Sequence, residues 1–195
     1  MRKNIILCGV GGQGTVLASR LISAAAMAKG IPVLSAETIG MAQRGGSVFS
    51  HIRLGEGIYS PMIARGEADL IIGFEPGEAV RLLPFLKPGG SMIVSDRAVM
   101  PVTASLTGTD YRASDMLDFL SAWVPDLRIV PAEQAMQSVG STKVLNLILL
   151  GAALSTGALG LAEADLKEAI RARIPEKFHE LNFKALAWAK QYQRK

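Results

Sequence analysis

Short runs of apolar residues, each bounded by glycine, proline or polar residues, recur along the first two thirds of the chain. Uninterrupted apolar runs of this length are typical of strands buried on both faces, as in a parallel sheet. One run alternates between apolar and polar residues, which predicts a half-exposed strand instead. The predicted strands cover residues 4–8, 31–36, 48–54, 69–74, 91–96 and 127–131, and the alternating strand is 48–54.

The segment after the alternating strand, GEGIYSPMI, predicts a turn followed by another extended piece. We therefore expect a hairpin within residues 48–60, because a short turn joins antiparallel neighbours. Such a hairpin would make an otherwise parallel sheet mixed.

Helical patterns separate the strands and dominate the C-terminal third. The predicted helices cover residues 15–29, 75–89, 114–123, 145–159, 161–175 and 176–193. The residues expected to start, break or end them are Gly30, Pro84, Pro88, Ser114, Asp115, Ser141 or Thr142, and Pro175. Alternation of strand and helix predicts an α/β fold. We expect one three-layer α/β/α domain over residues 1–195, with a mostly parallel, mixed sheet and a helical C-terminal third.

Charge and cysteine content narrow the class of protein. The net charge of +4 is concentrated at the two ends, and basic residues do not interleave with aromatic ones, which argues against nucleic-acid binding. Cys8 is the single cysteine and follows an apolar run, so a buried core residue is expected. The longest apolar run, 145–159, is too short to span a bilayer, and the N-terminal run is too short for a signal peptide. These features favour a cytoplasmic protein without membrane or metal sites.

A glycine-rich turn, CGVGGQG, joins the first predicted strand to the first predicted helix. Gly9, Gly11 and Gly14 match the G-x-G-x-x-G pattern, in which backbone N–H groups at a helix N-terminus receive a pyrophosphate. Glu37 lies near the end of the second predicted strand, where a dinucleotide fold places the acid that binds a ribose. A stand-alone NAD- or FAD-binding oxidoreductase is therefore one interpretation.

A second polar cluster, Gln43-Arg44-Gly45-Gly46-Ser47, favours a different interpretation, because a dehydrogenase has no physical need for such a cluster at this position. It offers a guanidinium, an amide, a hydroxyl and two glycines that let a ligand approach the backbone. The candidate ligand-binding residues are therefore Gly9, Gly11, Gly12, Gln13, Gly14, Gln43, Arg44, Gly45, Gly46 and Ser47, and Arg44 is the candidate catalytic cation.

Taken together, GVGGQGTVLASRL, AETIGMAQRGGSVFSHIRLG, YSPMI and ADLIIGFEPGEAVRLLPFLKPGG resemble the gamma subunit or domain of 2-oxoacid:ferredoxin oxidoreductases. The form AETIGMAQRGGSV is most similar to the beta subunit of the indolepyruvate enzymes. The resemblance implies oxidative decarboxylation of a 2-oxoacid, here an aryl pyruvate, to an acyl-CoA with reduction of ferredoxin. It also implies a large partner subunit that carries thiamine diphosphate, Mg and 4Fe-4S clusters, with coenzyme A as co-substrate. The chain is expected to bind none of these cofactors stably, and to be inactive, on its own.

The sequence leaves several roles open. The glycine turn either receives coenzyme A or serves as a packing surface, and Gln13 and Gln43 either orient a substrate carbonyl or bond the loop backbone. A structural role is favoured over a catalytic or ligand-binding one for His51 and Glu75. His179 is expected on the surface of the final helix. Lys143 and Asn146 lie in GSTKVLNL, and Asn146, which is polar within an apolar run, needs a partner that is either the Gly9–Gly14 turn or another subunit.

Overall fold

Six strands form one mixed sheet in the computed structural model, which describes residues 2–39, 46–100 and 110–192. The strand order is β2-β3-β1-β4-β5-β6. Strand β3 runs antiparallel to both β1 and β2, whereas β1, β4, β5 and β6 are parallel. The strands are β1 (Lys3–Val10), β2 (Val33–Ile39), β3 (Ser47–Leu54), β4 (Ala68–Gly73), β5 (Leu86–Ser95) and β6 (Asp126–Val130).

The helices cover both faces of this sheet. In the described parts of the chain they are α1 (Thr15–Ala28), α2 (Pro76–Leu82), α3 (Ala113–Trp123), α4 (Ala132–Val139), α5 (Leu145–Leu154), α6 (Glu163–Arg173) and α7 (His179–Tyr192). Short 3-10 turns at Leu83–Phe85 and Glu176–Phe178 precede β5 and α7. None of the described helices is long and apolar enough to cross a membrane.

Two apolar cores lie on opposite faces of the sheet, as a three-layer fold requires. The larger core packs α1 and α4 to α7 against the face that carries Ile5, Leu7 and Ile52. The smaller core packs α2 and α3 against the face that carries Ile6 and Cys8. Alternate residues of β1 therefore enter different cores, which explains why its sequence is apolar throughout.

The predicted α/β class, the mixed sheet and the helical C-terminal third are confirmed. The hairpin was predicted at the wrong place: β3 pairs with β2 and with β1, and residues 55–63 contain no strand. Strand β3 is also more buried than its alternating pattern suggested, because it lies between two strands and under α1.

Several boundaries also differ from those predicted. Strand β5 begins at Leu86 and includes Pro88, and α5 ends at Leu154. Helix α4 had no counterpart among the predicted elements. The predicted N-caps are wrong, since α3 begins one residue before Ser114 and neither Ser141 nor Thr142 caps α5. Arg112 and Val144 are the N-caps instead, and neither makes a side-chain cap hydrogen bond.

His51 has a structural role, as favoured from the sequence. Its side chain is buried on β3, with ring centroids 5.6 Å from Phe49 and 5.7 Å from Phe85. The Ile63 N–H donates to Nδ1 at 3.0 Å, which fastens the segment after β3 to the sheet. Burial lowers the pKa of His51 from its usual 6.5. The ring is therefore held neutral, since Nδ1 must remain an acceptor.

We expect the free energy of unfolding to fall as the pH drops below 6.5, the ordinary pKa of histidine. Above that pH His51 is neutral in both the folded and unfolded states. Below it the unfolded chain gains a proton that the folded chain resists, costing at most about 1.4 kcal/mol per pH unit. Urea unfolding of the wild type and His51→Gln from about pH 5 to about pH 8 measures this. The variant should lose that part of the slope, and identical slopes would contradict the assignment.

Candidate functional site

The glycine turn lies at the carboxyl end of β1, where the chain leaves the centre of the sheet and enters α1. Gly12 and Gly14 have φ angles of 99° and 87°, in the left-handed region that glycine adopts at little cost. Gly14 is also the N-cap of α1. The turn therefore presents the start of a helix at the edge of the sheet where ligands of open α/β folds bind.

Gln13 holds this turn closed through its side-chain amide. Its Oε1 accepts the Val10 N–H at 2.7 Å, and its Nε2 donates to the Phe74 carbonyl at 3.0 Å. A Cβ at Gly9 would lie 2.6 Å from Gln13 Oε1 and 2.7 Å from Phe74 Cβ, so only glycine fits there. The sequence left two roles open for Gln13, and the structure shows that its side chain bonds the backbone.

The order of the strands around this site differs from that of a dinucleotide-binding fold. In a dinucleotide fold the strand that carries the ribose-binding acid is the neighbour of β1. Here β3 lies between β1 and β2, so Glu37 is two strands away, about 10 Å from β1. Glu37 is also inside β2, which continues to Ile39, rather than beyond its end. The NAD or FAD interpretation thus loses its acidic partner.

A cleft of about 470 Å³ opens beside the turn. One wall is formed by Gly12, Gln13 and Gly14, and the others include Arg97, which follows β5, and Lys143, which precedes α5. Helices α1 and α5 both begin at this cleft, and neither has a side-chain cap or an acidic residue in its first turn. Their unpaired N–H groups and positive dipole ends therefore face the same space.

Asn146 adds a buried amide to the cleft. It is 3% exposed and packs against the turn, since a Cβ at Gly14 would lie 3.1 Å from its Nδ2. Its Oδ1 accepts the Leu147 N–H at 3.0 Å, whereas Nδ2 has no acceptor among the described residues. Because Asn146 lines the cleft, its Nδ2 is placed to donate to an oxygen acceptor of a ligand bound there.

The charge around the cleft has one sign. Arg97 and Lys143 are exposed cations, and no carboxylate is among the described residues that line it. Two cations, two helix N-termini and an amide donor together favour an anion with several oxygen acceptors. A phosphate or diphosphate group has that character.

The second predicted cluster is only partly described, since Gln43, Arg44 and Gly45 lie outside the described residues. The Gly46 carbonyl accepts the Gly11 N–H at 2.9 Å, which joins this segment to the glycine turn. Ser47 Oγ donates to Glu78 Oε2 at 2.7 Å and accepts from Arg81 on α2. Ser47 is thus fixed on the α2 side of the sheet, away from the cleft.

Glu75 links the start of α2 to Tyr111. It is the N-cap of α2, where its Oε2 accepts the Glu78 N–H at 2.9 Å. Its Oε1 accepts the hydroxyl of Tyr111, and the Gly77 N–H donates to that hydroxyl at 3.1 Å. Burial and the carboxylate of Glu75 raise the pKa of Tyr111 well above its ordinary value. Glu75 was expected to be an acidic residue at the start of a helix, and it is the N-cap of α2.

Sequence reasoning did not propose Arg97 and Lys143 as ligand-binding residues. Each stands alone in its segment without a motif, and only the folded chain brings them to one cleft. Asn146 carried a signal, because an amide within an apolar run requires a partner. His179 is half-buried rather than on the surface, with Nε2 2.7 Å from the Ile174 carbonyl. The described residues contain no cluster of three or more potential metal ligands.

Comparison with known proteins identifies the class. The family model for pyruvate ferredoxin/flavodoxin oxidoreductase matches residues 4–192. The chain belongs to this family, as a gamma-type subunit of a 2-oxoacid:ferredoxin oxidoreductase. It is 36% identical to indolepyruvate oxidoreductase subunit IorB of Thermococcus kodakarensis, over 93% of this chain and 91% of the relative. It is 26% identical to 2-oxoglutarate synthase subunit KorC of Methanothermobacter marburgensis, over 95% and 93% of the two chains.

Solved structures share the fold. The gamma subunit of keto/oxoacid ferredoxin oxidoreductase from Geobacter sulfurreducens superposes with a TM-score of 0.72 at 22% identity, covering 98% of this chain and 95% of that one. The 2-oxoglutarate:ferredoxin oxidoreductase from Magnetococcus marinus, with 2-oxoglutarate, coenzyme A and succinyl-CoA bound, has a TM-score of 0.70 at 19% identity. That match covers 97% of this chain and 31% of the other, so the fold is there one part of a longer chain.

We expect Gln13→Ala to lower the free energy of unfolding by about 1–3 kcal/mol, the cost of leaving buried backbone groups unpaired. The change removes the partners of the Val10 N–H and the Phe74 carbonyl. Urea denaturation measures the loss. Gln134→Ala on α4 is the matched control, because Gln134 is exposed and the change should be nearly neutral. Equal stability of the two variants would contradict the role of Gln13.

Proposed function

We propose that this chain is the smaller subunit of an indolepyruvate or related aryl pyruvate:ferredoxin oxidoreductase. The observation that carries the proposal is the difference in identity between two kinds of relative. The chain is 36% identical to an indolepyruvate subunit and 26% identical to a 2-oxoglutarate subunit, at similar coverage. The preference extends over nearly the whole chain rather than one motif.

Coenzyme A is the ligand that we propose for the cleft beside the glycine turn. Its phosphate groups supply the oxygen acceptors and negative charge that the cleft is suited to receive. Arg97 and Lys143 would neutralise that charge, and the amide of Asn146 would donate to an oxygen. At Gly12 a Cβ would meet nothing within 4 Å, so a ligand has room to approach the turn backbone there.

The decarboxylation and electron transfer are assigned to the partner subunit. The chain has one cysteine, Cys8, which is buried, and burial raises its pKa far above the usual value. A buried neutral thiol does not hold a cluster or act as a nucleophile. Thiamine diphosphate, Mg and 4Fe-4S clusters would therefore reside in the large subunit, which also reduces ferredoxin. This chain's part is to bind coenzyme A and present it to the acyl group formed there.

The proposed substrate class is tested by turnover of the reconstituted complex. The chain is co-expressed with its large subunit, purified anaerobically, and assayed for viologen reduction with coenzyme A and one of four oxoacids. We expect kcat/KM for indolepyruvate and phenylpyruvate to exceed that for pyruvate and 2-oxoglutarate by about tenfold or more. Turnover should require both chains. A preference for pyruvate or 2-oxoglutarate, or full activity without this chain, would overturn the proposal.

Replacing Lys143 by Ala tests the coenzyme A assignment separately. We expect the KM for coenzyme A to rise about tenfold, as loss of a charge-assisted hydrogen bond implies, with the KM for the oxoacid unchanged. Lys177→Ala is the matched control, because Lys177 is also exposed but lies in the 3-10 turn before α7 and is not among the residues that line the cleft. Calorimetric titration of the complex with coenzyme A gives the same comparison without turnover. An unchanged KM in Lys143→Ala would refute the assignment.

A further inference from the structure

The backbone that carries Arg97 is fixed to the end of the sheet. Arg97 lies two residues after the end of β5, and its side chain is exposed. Its N–H donates to Ser95 Oγ at 3.1 Å, and Ser95 is fully buried. The N–H of Asp96 donates to the Val130 carbonyl at 3.0 Å, which continues the pairing of β5 with β6. The guanidinium in the cleft thus extends from a fixed point of the main chain.

The Asp96 carboxylate joins this point to α4. Its Oδ1 accepts the Ala132 N–H at 2.8 Å, and Ala132 is the first residue of α4. The N-cap of α4 is Pro131, which makes no side-chain cap hydrogen bond. Asp96, 36 positions before Ala132 in the chain, therefore caps the helix from the neighbouring strand end. Its negative charge also faces the positive end of the helix dipole.

Helix α4 in turn supports the Arg97 side chain. Ala132 and Met136 are four residues apart and lie on one face of the helix. Arg97 Nη1 lies 4.0 Å from Met136 Sδ, and Met136 is buried in the larger core. The guanidinium is therefore in contact with a side chain whose place depends on how α4 is held. Asp96 is the residue that holds the near end of α4.

The far end of α4 is held independently of Asp96. The helix ends at Val139, and Gly140 follows with a φ of 92°, in the left-handed region that commonly ends helices. Lys184 Nζ donates to the Val139 carbonyl at 3.2 Å and joins this end to α7. Lys143, the second cation of the cleft, follows three residues after Gly140, and its N–H donates to Ser141 Oγ at 3.2 Å. Loss of the Asp96 contact should therefore displace Arg97 and leave Lys143 in place.

Asp96 can affect a ligand only through its neighbours. It is not among the described residues that line the cleft, whereas Arg97 is. A hydrogen bond from a guanidinium to a phosphate oxygen weakens steeply when its distance and angle depart from the normal range. A small displacement of Arg97 would therefore lower affinity although every charge in the cleft is kept.

We infer that Asp96 is a positioning residue for the cleft: by capping α4 from the end of β5, it sets the place of the Arg97 guanidinium relative to Lys143. The inference rests on the proposed function, in which this cleft binds coenzyme A. It goes further because it assigns a part in ligand binding to a side chain outside the cleft, and to the helix that this side chain caps.

The first test compares substitutions of Asp96 in the complex of this chain with its large subunit. We expect Asp96→Ala to raise the KM for coenzyme A about fivefold, less than the roughly tenfold rise for Arg97→Ala, with kcat and the KM for the oxoacid unchanged. Asp96→Asn should keep a KM near that of the wild type, because an amide oxygen also accepts the Ala132 N–H. Calorimetric titration of the complex with coenzyme A should give the same order of affinities without turnover.

A double-mutant cycle distinguishes positioning of Arg97 from a general effect. Once Arg97 is replaced by Ala, the Asp96 contact has no guanidinium left to place. The variant with both Asp96→Ala and Arg97→Ala should therefore have the KM for coenzyme A of Arg97→Ala alone. If Asp96→Ala does not fold, as judged by circular dichroism, Asp96→Glu replaces it in the cycle. That change keeps the charge but moves the carboxylate away from the Ala132 N–H by one methylene.

Asp165→Ala is the matched control for loss of a helix cap. Asp165 is half-buried, as Asp96 is, and its Oδ2 accepts the Ala162 N–H at 2.7 Å at the start of α6. It is not among the described residues that line the cleft. Asp165→Ala and Asp96→Ala should both unfold at lower urea concentration than the wild type. Only Asp96→Ala should change the KM for coenzyme A.

The outcomes separate the positioning role from the proposed function. If Arg97→Ala and Lys143→Ala both leave the KM for coenzyme A unchanged, the proposed ligand is wrong and the positioning role is overturned with it. If Arg97→Ala raises the KM but Asp96→Ala does not, the positioning role is wrong and the proposed function stands. The same holds if Asp96→Ala raises the KM equally in the Arg97→Ala background, or if Asp165→Ala raises it as much.

Discussion

The closure of the turn at the end of β1 is the constraint on which the candidate site depends. Strand β1 is central and buried on both faces, so its last backbone groups cannot turn to water as the chain leaves the sheet. The side-chain amide of Gln13 supplies the missing acceptor for Val10 and also donates to the end of β4. One amide thus fixes the turn to two adjacent strands. The start of α1 can then be held open to a ligand, because no side chain caps it.

The position of β3 between β1 and β2 affects which kind of ligand the glycine turn can bind. In a parallel dinucleotide fold, the glycine turn and the acid of the next strand bind one cofactor between them. Here the inserted antiparallel strand removes that acid from reach and brings the Gly46 carbonyl to the turn instead. A motif shared with dehydrogenases therefore occurs in a different electrostatic setting. The cations near this turn are Arg97 and Lys143. They suit a ligand that is bound through its phosphate groups and not also through a ribose.

The sequence was sufficient to predict those features that depend on a local pattern of residues. The buried strands, the long first helix and the glycine turn follow from apolar runs and turn residues, and all occur near their predicted positions. Features set by tertiary pairing could not be obtained that way. Antiparallel pairing of β3 with β1 joins residues 37 to 51 positions apart, from Val10–Ser47 to Lys3–Leu54, and the alternating pattern of residues 48–54 does not show which strands flank it. Helix α4 was missed because its short, polar pattern became a helix only against the larger core.

The candidate site shows the same division between local and tertiary information. The glycines and Gln13 were found because they form a motif, whereas Arg97 and Lys143 reach the cleft from the ends of distant elements. Asn146 was intermediate, since its polarity within an apolar helix signalled a contact but not its location. In the folded chain its Oδ1 bonds its own helix and its Nδ2 faces Gly14 and the cleft. Because Asn146 lines the cleft and packs against Gly14, an oxygen acceptor of a bound ligand that paired with its Nδ2 would be held to α5 and to the glycine turn at once.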